Sequence, residues 1–433
     1  MGNSQWESFP INELCIFAID CVNKTAPIVD YETPYKMIRT TNVKDGFIDT
    51  ESVRYVTEET FKKWTRRSKP QYGDVILTRE APVGSVGRFT TDDKNIFLGQ
   101  RLFHYRPDPE KLDWNYLSYV LQSEALQGWL NGIAFGATVP HITVADAETI
   151  KIPTPPIDIQ KKIGKILSNY DDLIENNLKQ IKLLEEKARL TYEEWFLRFR
   201  IDGQKLDIDE NTGLPFGWEK KKLESLIDYH IGGGWGEEIL SDEFSEPAFV
   251  IRGTDFNNVK VGSLENVPYR YHKVSNLSSR KLKHKDIIFE VSGGSNTEGV
   301  AKTLQLNKIL LDQFDNQVMC ASFCKLVRTK SEDYSNLLFL FLQYLRDTRG
   351  TEVYELRSAS NIVNYNWSAF LKFQETITPD IETIKLFNLK IDPIIDNIYN
   401  FAKQNQLLKE SRDILLPRLM TGIIDVDKLD IEV

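Results

Sequence analysis

No apolar run in the chain approaches the roughly 20 residues of a membrane-spanning helix. The opening Met1-Gly2-Asn3-Ser4-Gln5-Trp6 lacks the apolar core of a secretion signal. It also places Trp6 where a myristoylation signal wants Ser or Thr. The expectation is a cytoplasmic protein with no membrane partner. Cysteines number four, Cys15, Cys21, Cys320 and Cys324, too few and too badly spaced for a zinc site. Five histidines are present and none repeats at ligand spacing, so the thiols read as buried structural groups. Catalytic signatures are missing as well. The stretch Gly293-Gly294-Ser295-Asn296-Thr297-Glu298-Gly299 runs into Val300 and lacks the lysine of a phosphate loop. Glu32-Thr33-Pro34-Tyr35 lacks the amide of the amino-methyltransferase tetrad. No zinc-protease or serine-hydrolase motif occurs. Asp74 and Glu80 invite comparison with a nuclease carboxylate pair, but Asp74 follows Gly73 at a turn into a strand and its repeat partner Asp286 has no matching acid, so a turn-forming Asp is the favoured reading. The net charge of −9, from 54 basic and 63 acidic residues, argues against indiscriminate coating of nucleic acid. It leaves room for a local basic groove.

What is present is organised by two long heptad helices. Ile163, Leu167, Tyr170, Ile174, Asn177, Ile181, Leu184, Ala188, Thr191 and Trp195 follow the 4-3 spacing of a coiled-coil seam. A helix from about Ile159 to Arg200 is expected. A second seam runs through Ile391, Ile394, Ile398, Phe401, Asn405, Leu408, Arg412, Leu415 and Leu419. Each seam carries an Asn, Asn177 and Asn405, which suits register specification at some cost in stability.

The stretches before these helices repeat. Trp6-Glu7 and Trp218-Glu219 are 212 residues apart, as are Leu14 and Leu226, and Asp74-Val75-Ile76 and Asp286-Ile287-Ile288. Ile38-Arg39 matches Ile251-Arg252 with one insertion, and Gln100 is aligned with Gln317. Asp113 and Asp333 each read as the N-cap of an apolar helix, the first spanning Trp114–Leu130. In the first half, strands are expected at Tyr35–Arg39, Val75–Thr78 and Val86–Phe89. The fold expected is α+β: two similar α/β domains separated by two long helices that pack as an antiparallel coiled coil, if a pseudo-twofold internal repeat relates the halves. The boundaries read 1–157 for the first domain, 158–200 for the central helix, 201–215 for a linker, 216–380 for the second domain, 381–422 for the C-terminal helix and 423–433 for a tail. The seam residues Ile163, Leu167, Ile174, Asn177, Ile181, Leu184, Ile398, Asn405, Leu408 and Leu415 are the expected subunit-interface set.

Groups that suit nucleic acid outnumber those that suit catalysis. Arg54, Lys62, Lys63, Arg66, Arg67 and Lys69 surround Trp64, opposed by Glu58 and Glu59. Arg270, Lys273, Arg280, Lys281, Lys283 and Lys285 precede Asp286 in the second half. A charge run is usually a solvated face, but two runs at equivalent repeat positions favour phosphate contact. Base edges need forked donors or amides. The candidates for DNA binding are Arg39, Thr40, Asn42, Lys63, Arg66, Arg67, Arg79, Arg101, Thr138 and His141 in the first half. In the second they are Arg252, Thr254, Lys281, Lys283, Ser292, Asn296, Arg357 and Asn361.

Three features carry a family resemblance. One is the restart Leu214-Pro215-Phe216-Gly217-Trp218-Glu219. Another is Gly136-Ala137-Thr138-Val139-Pro140-His141-Ile142 running into Ile152-Pro153-Thr154-Pro155-Pro156-Ile157, with Gln160 and Ile163 beyond. The third is Leu416-Pro417-Arg418-Leu419-Met420-Thr421-Gly422-Ile423-Ile424-Asp425. In this order and duplicated, they resemble the specificity subunit of a type I restriction–modification system. The resemblance implies two target recognition domains, each reading one half of a split double-stranded DNA sequence. It implies a coiled coil that sets the spacer and docks two modification subunits, joined by restriction (motor-nuclease) subunits. No cofactor is expected in this chain; S-adenosylmethionine, ATP and Mg²⁺ belong to the partners. The alternative reading is a self-contained DNA-cutting or DNA-modifying enzyme. The second half departs from the pattern at Ile377-Thr378-Pro379-Asp380-Ile381, where the Pro-rich lead-in is lost, which suggests a different entry angle for its helix. Its Ser358–Tyr365 loop also lacks the Gly-x-Thr pattern.

Overall fold

A computed structural model describes residues 6–44, 46–136, 139–293, 299–357 and 362–429. The chain divides into two compact units, residues 1–173 with 408–433, and residues 174–407.

The first unit is built on a four-stranded antiparallel sheet ordered Cys15–Asp20, Leu102–Pro107, Val75–Arg79, Val83–Arg88. Val75–Arg79 is β-branched and apolar at its start, and all five of its residues are buried. A three-stranded sheet lies beside it, with Lys36–Ile38 antiparallel to Arg54–Tyr55 and parallel to Ile96–Leu98. A short pair, Ser8–Pro10 with Lys151–Pro153, closes the unit. The helix expected over Trp114–Leu130 is two helices, Trp114–Gln122 and Glu124–Ile133. Ser123 divides them: its hydroxyl donates to the Val120 carbonyl at 2.7 Å and accepts from Leu126 N–H. Such local bonding competes with the helical ladder.

The second unit repeats these three sheets in the same strand order. Its four-stranded sheet is ordered Ile227–Gly232, Cys324–Thr329, Ile287–Glu290, Thr303–Gln305. Its three-stranded sheet has Glu246–Ile251 antiparallel to Tyr269–His272 and parallel to Gln317–Cys320. Glu219–Lys222 with Glu375–Thr378 is the closing pair. The register corrects one alignment: Leu98 pairs Ile38 and Cys320 pairs Ile251, so Gln100 and Gln317 are not equivalent. Gln317–Cys320 and Cys324–Thr329 are separate strands joined by a turn. Cys21, Cys320 and Cys324 are buried free thiols and Cys15 is half-buried; burial pushes the Cys320 thiol up to about 12.

The long helices are Ile157–Phe196 and Ile381–Met420. The first starts two residues before the expected Ile159 and stops short of Arg200, where the chain enters a small hairpin, Arg200–Ile201 with Gln204–Lys205. The stretch expected as a linker carries a second hairpin, Ile208–Asp209 with Leu214–Pro215, and Leu214 joins the core of the second unit. Glu375–Thr378 leads into its helix from a closing pair equivalent to that of Lys151–Pro153, and Asp380 caps the helix by accepting Thr383 N–H at 3.0 Å. Asp113 caps as expected, accepting Tyr116 N–H at 2.8 Å. Asp333 instead lies inside the first turn of Asp333–Asp347.

Within each unit the two long helices run in opposite directions. In the first, Arg412 donates to Asp171 at 2.6 Å and Lys162 to the Val426 carbonyl at 3.4 Å. In the second, Asn177 meets Gln404 at 3.4 Å and Trp195 packs on Phe387. Ile163, Leu167, Ile174, Asn177, Ile181, Ile398 and Asn405 are buried. Leu184, Leu408 and Leu415 are half-buried. These residues are the seam and core of this chain's own units, which corrects their assignment as a surface for another subunit. Asn405 does not pair across the seam: its amide donates to the Val261 carbonyl at 3.3 Å. Among the described residues no helix is long and apolar enough to cross a membrane.

Candidate nucleic-acid interface

In the first unit the basic segment follows the short helix Glu58–Trp64, which Thr57 caps. Trp64 and Phe61 are buried and pin the helix, leaving Lys63, Arg66 and Arg67 exposed. Lys62 is paired with Glu58 at 2.8 Å across one helical turn. Lys63 and Lys69 lie over the Trp64 and Phe61 rings. Arg67 reaches the Asp20 carbonyl at 3.3 Å.

Asp20 joins this segment to the end of the central strand. Arg79 binds its carboxylate at 2.8 Å and donates to the Ile142 carbonyl at 3.0 Å. Burial pushes the Asp20 carboxyl up, and Arg79 and Arg67 offset only part of that. Arg79 is itself buried and so braces the site; as a reader of base edges it is corrected. Beyond it, Arg101 pairs with Glu80 at 3.2 Å. Glu80 bridges to His141, whose ring stacks on exposed Phe135 at 4.2 Å between centroids. The fold thus brings Arg67, Arg79, Arg101 and His141 together. Asn42 is buried, accepting Arg39 N–H at 2.9 Å and donating to the Ser52 carbonyl at 3.0 Å. It shapes the turn and is not placed to read a base. Thr40 in the same turn is half-buried.

The second unit differs in detail. Arg252 occupies the place of Arg39, but Asp255 replaces Asn42 and takes the guanidinium at 2.9 and 2.7 Å. Its fork is committed within the turn, and exposed Thr254 is the residue that turn presents. Gly253 lies so close to Glu290 that an added Cβ would stand 2.2 Å from its carboxylate. Two residues past Glu290, Ser292 donates to Asn364 at 2.8 Å. The strand Val363–Tyr365 is flanked by Ser292–Gly293 on one side and Glu355–Arg357 on the other. Ser292 and Arg357 are therefore brought together around exposed Asn364, a residue that sequence reasoning missed. Arg357 pairs with Glu355 at 3.0 Å. Thr138, Asn296 and Asn361 lie outside the described residues.

The second basic cluster is smaller than its sequence suggests. Arg270 is held by Glu238 at 2.6 Å and covers Trp235. Lys273 pairs with Glu243, and Lys285 with Asp392. Arg280 donates to the Gly232 carbonyl at 2.9 Å. Lys281 and Lys283 remain exposed.

Asp74 and Glu80 do not form a carboxylate pair. Asp74 is 1% exposed and is held by Arg106 and His104, while Glu80 faces Arg101. Burial works to raise the Asp74 carboxyl, and the Arg106, His104 and Gln71 hydrogen bonds overcome it and hold it below the usual carboxylate range. His104 does stand between Ser68 and Asp74, but the carboxylate is already saturated by a guanidinium and a peptide N–H. No group of three or more His, Cys, Asp or Glu gathers as a metal site among the described residues.

One α/β plan is used twice, and each copy presents basic side chains beside polar loop ends. Residues 3–186 match the family model described as the type I restriction modification DNA specificity domain. The chain is 26% identical over 393 residues to the type I restriction enzyme MjaIX specificity subunit of Methanocaldococcus jannaschii, a match covering 87% of this chain and 83% of that one. It is 24% identical over 397 residues to the MjaVIII specificity subunit of the same organism, covering 89% and 88%. The crystal structure of a type I restriction–modification S subunit from M. genitalium shares the fold, with a TM-score of 0.54 at 15% identity over 96% of each chain. Over most of its length the chain is thus similar to type I restriction–modification specificity subunits. These are the non-catalytic members of their enzymes, binding DNA and assembling with the other subunits.

Proposed function

We propose that this subunit reads a bipartite DNA target, one half-site per unit, and holds the two readings at a fixed spacing through an antiparallel coiled coil of its long helices. The observation that supports this best is the duplication of the main sheets: each unit has its own core, its own basic segment and its own loop cluster. Phosphate contacts from Lys63, Arg66 and Arg67, and from Lys281 and Lys283, position each unit without reading sequence. Arg39, Thr40, Arg101 and His141 in the first unit, and Thr254, Ser292 and Arg357 in the second, are the proposed base-reading and groove-facing groups, joined by Asn364. The different composition of the two sets implies two different half-sites.

The long helices also dock two modification subunits, which carry S-adenosylmethionine and the adenine methyltransferase; motor-nuclease subunits using ATP and Mg²⁺ join them. With the seam buried, docking falls to outward residues such as Leu173, Leu178 and Leu183 in the first long helix, which are exposed. The test is methylome sequencing of a host carrying the system with and without this chain. The expected result is one new methylated motif with two unequal half-sites. A continuous motif, or methylation unchanged by the chain, would count against the reading.

A further inference from the structure

The same clamp stands immediately behind each basic segment. In the first unit Asp74 closes a turn: its Oδ2 accepts Gln71 N–H at 2.8 Å, and its own N–H returns to the Gln71 carbonyl at 3.1 Å. Arg106 on the adjacent strand grips both carboxylate oxygens at 2.8 Å, and its guanidinium lies over the Phe17 ring at 4.7 Å. In the second unit Asp286 Oδ2 accepts Lys283 N–H at 2.7 Å, and Asp286 N–H returns to the Lys283 carbonyl at 3.1 Å. Arg328 grips the two oxygens at 2.7 and 2.6 Å and covers the Tyr229 ring at 5.8 Å.

The turn donors, carboxylates and rings all keep the offset of 212 (283 − 71, 286 − 74, 229 − 17). The residue before each carboxylate has positive φ, 89° at Gly73 and 66° at Lys285. The left-handed backbone is thus kept in the second copy although the glycine is not, a conformation that a non-glycine residue holds only when its surroundings impose it. The first clamp reaches further along the chain. Arg106 also donates to the Lys69 carbonyl at 2.9 Å, and His104 links Asp74 at 2.6 Å to Ser68 at 2.9 Å. The segment from Ser68 to Gln71 is therefore held at three places, by the Ser68 hydroxyl, the Lys69 carbonyl and the Gln71 N–H, while Arg66, Arg67 and Lys69 around it are exposed.

We propose that Asp74 with Arg106, and Asp286 with Arg328, are positioning residues that hold the basic segments 66–71 and 280–285 in the backbone geometry used for phosphate contact. A segment ordered in advance loses less freedom on binding. A single buried ion pair would be weak evidence for any role; its repetition with the same turn donor and aromatic cover carries the inference. The inference rests on the phosphate-contact reading of these segments, and the experiment separates the two.

The experiment measures binding of the full-length chain to a labelled duplex of about 30 base pairs, three helical turns, across a salt series. Removing one phosphate contact lowers the slope of log affinity on log salt by ~0.9. Lys63→Ala, Arg66→Ala and Arg67→Ala combined are expected to lower it by about two to three. Asp74→Asn and Asp286→Asn are each expected to lower it by about one or more. Tryptic cleavage after Arg66 or Arg67 is expected to become faster in Asp74→Asn. A merely structural role would reduce the folded fraction and leave the slope of the folded protein unchanged. That result in Asp74→Asn and Asp286→Asn, beside a lowered slope in the triple variant, overturns the inference. An unchanged slope in the triple variant, or no binding by the wild-type chain, overturns the phosphate reading beneath it. If the Asn variants do not fold, Ser68→Ala and Arg328→Gln carry the same comparison, and wild-type slopes in both overturn the proposal.

Discussion

At the scale of single residues, the two units differ most where their strands align best. His104 and Leu326 occupy equivalent positions, paired with Ile76 and Ile288. His104 is fully buried, and burial holds its imidazole below the usual range although the Asp74 hydrogen bond opposes this. Its folded pKa is therefore depressed. Its stabilising contribution is complete above the unfolded value of about 6.5 and is lost as pH falls through the folded value. His104→Leu, copying the second unit, is expected to flatten that loss. Thermal melts at about pH 7.5 and about pH 5 should show a large drop in the wild type and a smaller one in the variant. Equal drops would place the acid sensitivity elsewhere. None of this was legible in the sequence, because the partners Ser68 and Asp74 meet His104 only through sheet register. Arg79 shows the same limit: it reads as a forked donor and is committed to Asp20 on another strand, whereas the partner of Arg252, Asp255, stands three residues on in its own turn.

At the scale of elements, the first long helix enters its unit through a glycine. A Cβ at Gly164 would stand 2.6 Å from the Asp113 carboxylate and 3.1 Å from Tyr116 N. On an exposed helix, Gly→Ala would stabilise by about 1 kcal/mol; here steric crowding reverses the sign. Gly164→Ala is expected to destabilise by about 1–3 kcal/mol, read as a lowered midpoint in urea.

Two turns further along, Asp171 is fully buried and accepts from Arg88 at 3.1 Å, Arg412 at 2.6 Å and the Tyr119 hydroxyl. Asp171→Ala would leave the buried Arg88 without its counter-charge and Arg412 with Asp413 alone, which is expected to cost about 3–5 kcal/mol. A loss below ~1 kcal/mol, as for an exposed pair, would contradict the burial. The heptads made both helices legible, because a 4-3 pattern is local. They could not show that a carboxylate just off the seam, rather than a seam Asn, carries the polar contact between helices in the first unit. That depends on Arg88, 83 residues earlier.

At the scale of the molecule, the duplication was legible because the matching dipeptides sit at strand boundaries, and Asp74-Val75-Ile76 and Asp286-Ile287-Ile288 at buried ones, where register tolerates no slip. It failed at Gln100 and Gln317, where an insertion precedes the strand and no side-chain pattern fixes the count. If the long helices act as a ruler, deleting matched heptads from both shortens it by roughly 10 Å of axial rise. At 3.4 Å per base pair along one strand, the methylated motif is expected to lose up to about three base pairs of spacer with both half-sites kept. Changed half-sites with an intact spacer would sink the ruler.

The division of the chain also has a consequence for its synthesis. The second unit is contiguous, residues 174–407, whereas the first needs residues 408–433 to be complete. Leu419 and Val426 belong to the first unit's core, and Arg412 to its buried ion cluster. Domains commonly fold in order as they leave the ribosome. Here the half made first must wait for the last stretch to emerge, so it is begun first and finished last. A nascent chain stalled before residue 408 is expected to show a protease-resistant second unit beside a protease-sensitive first one.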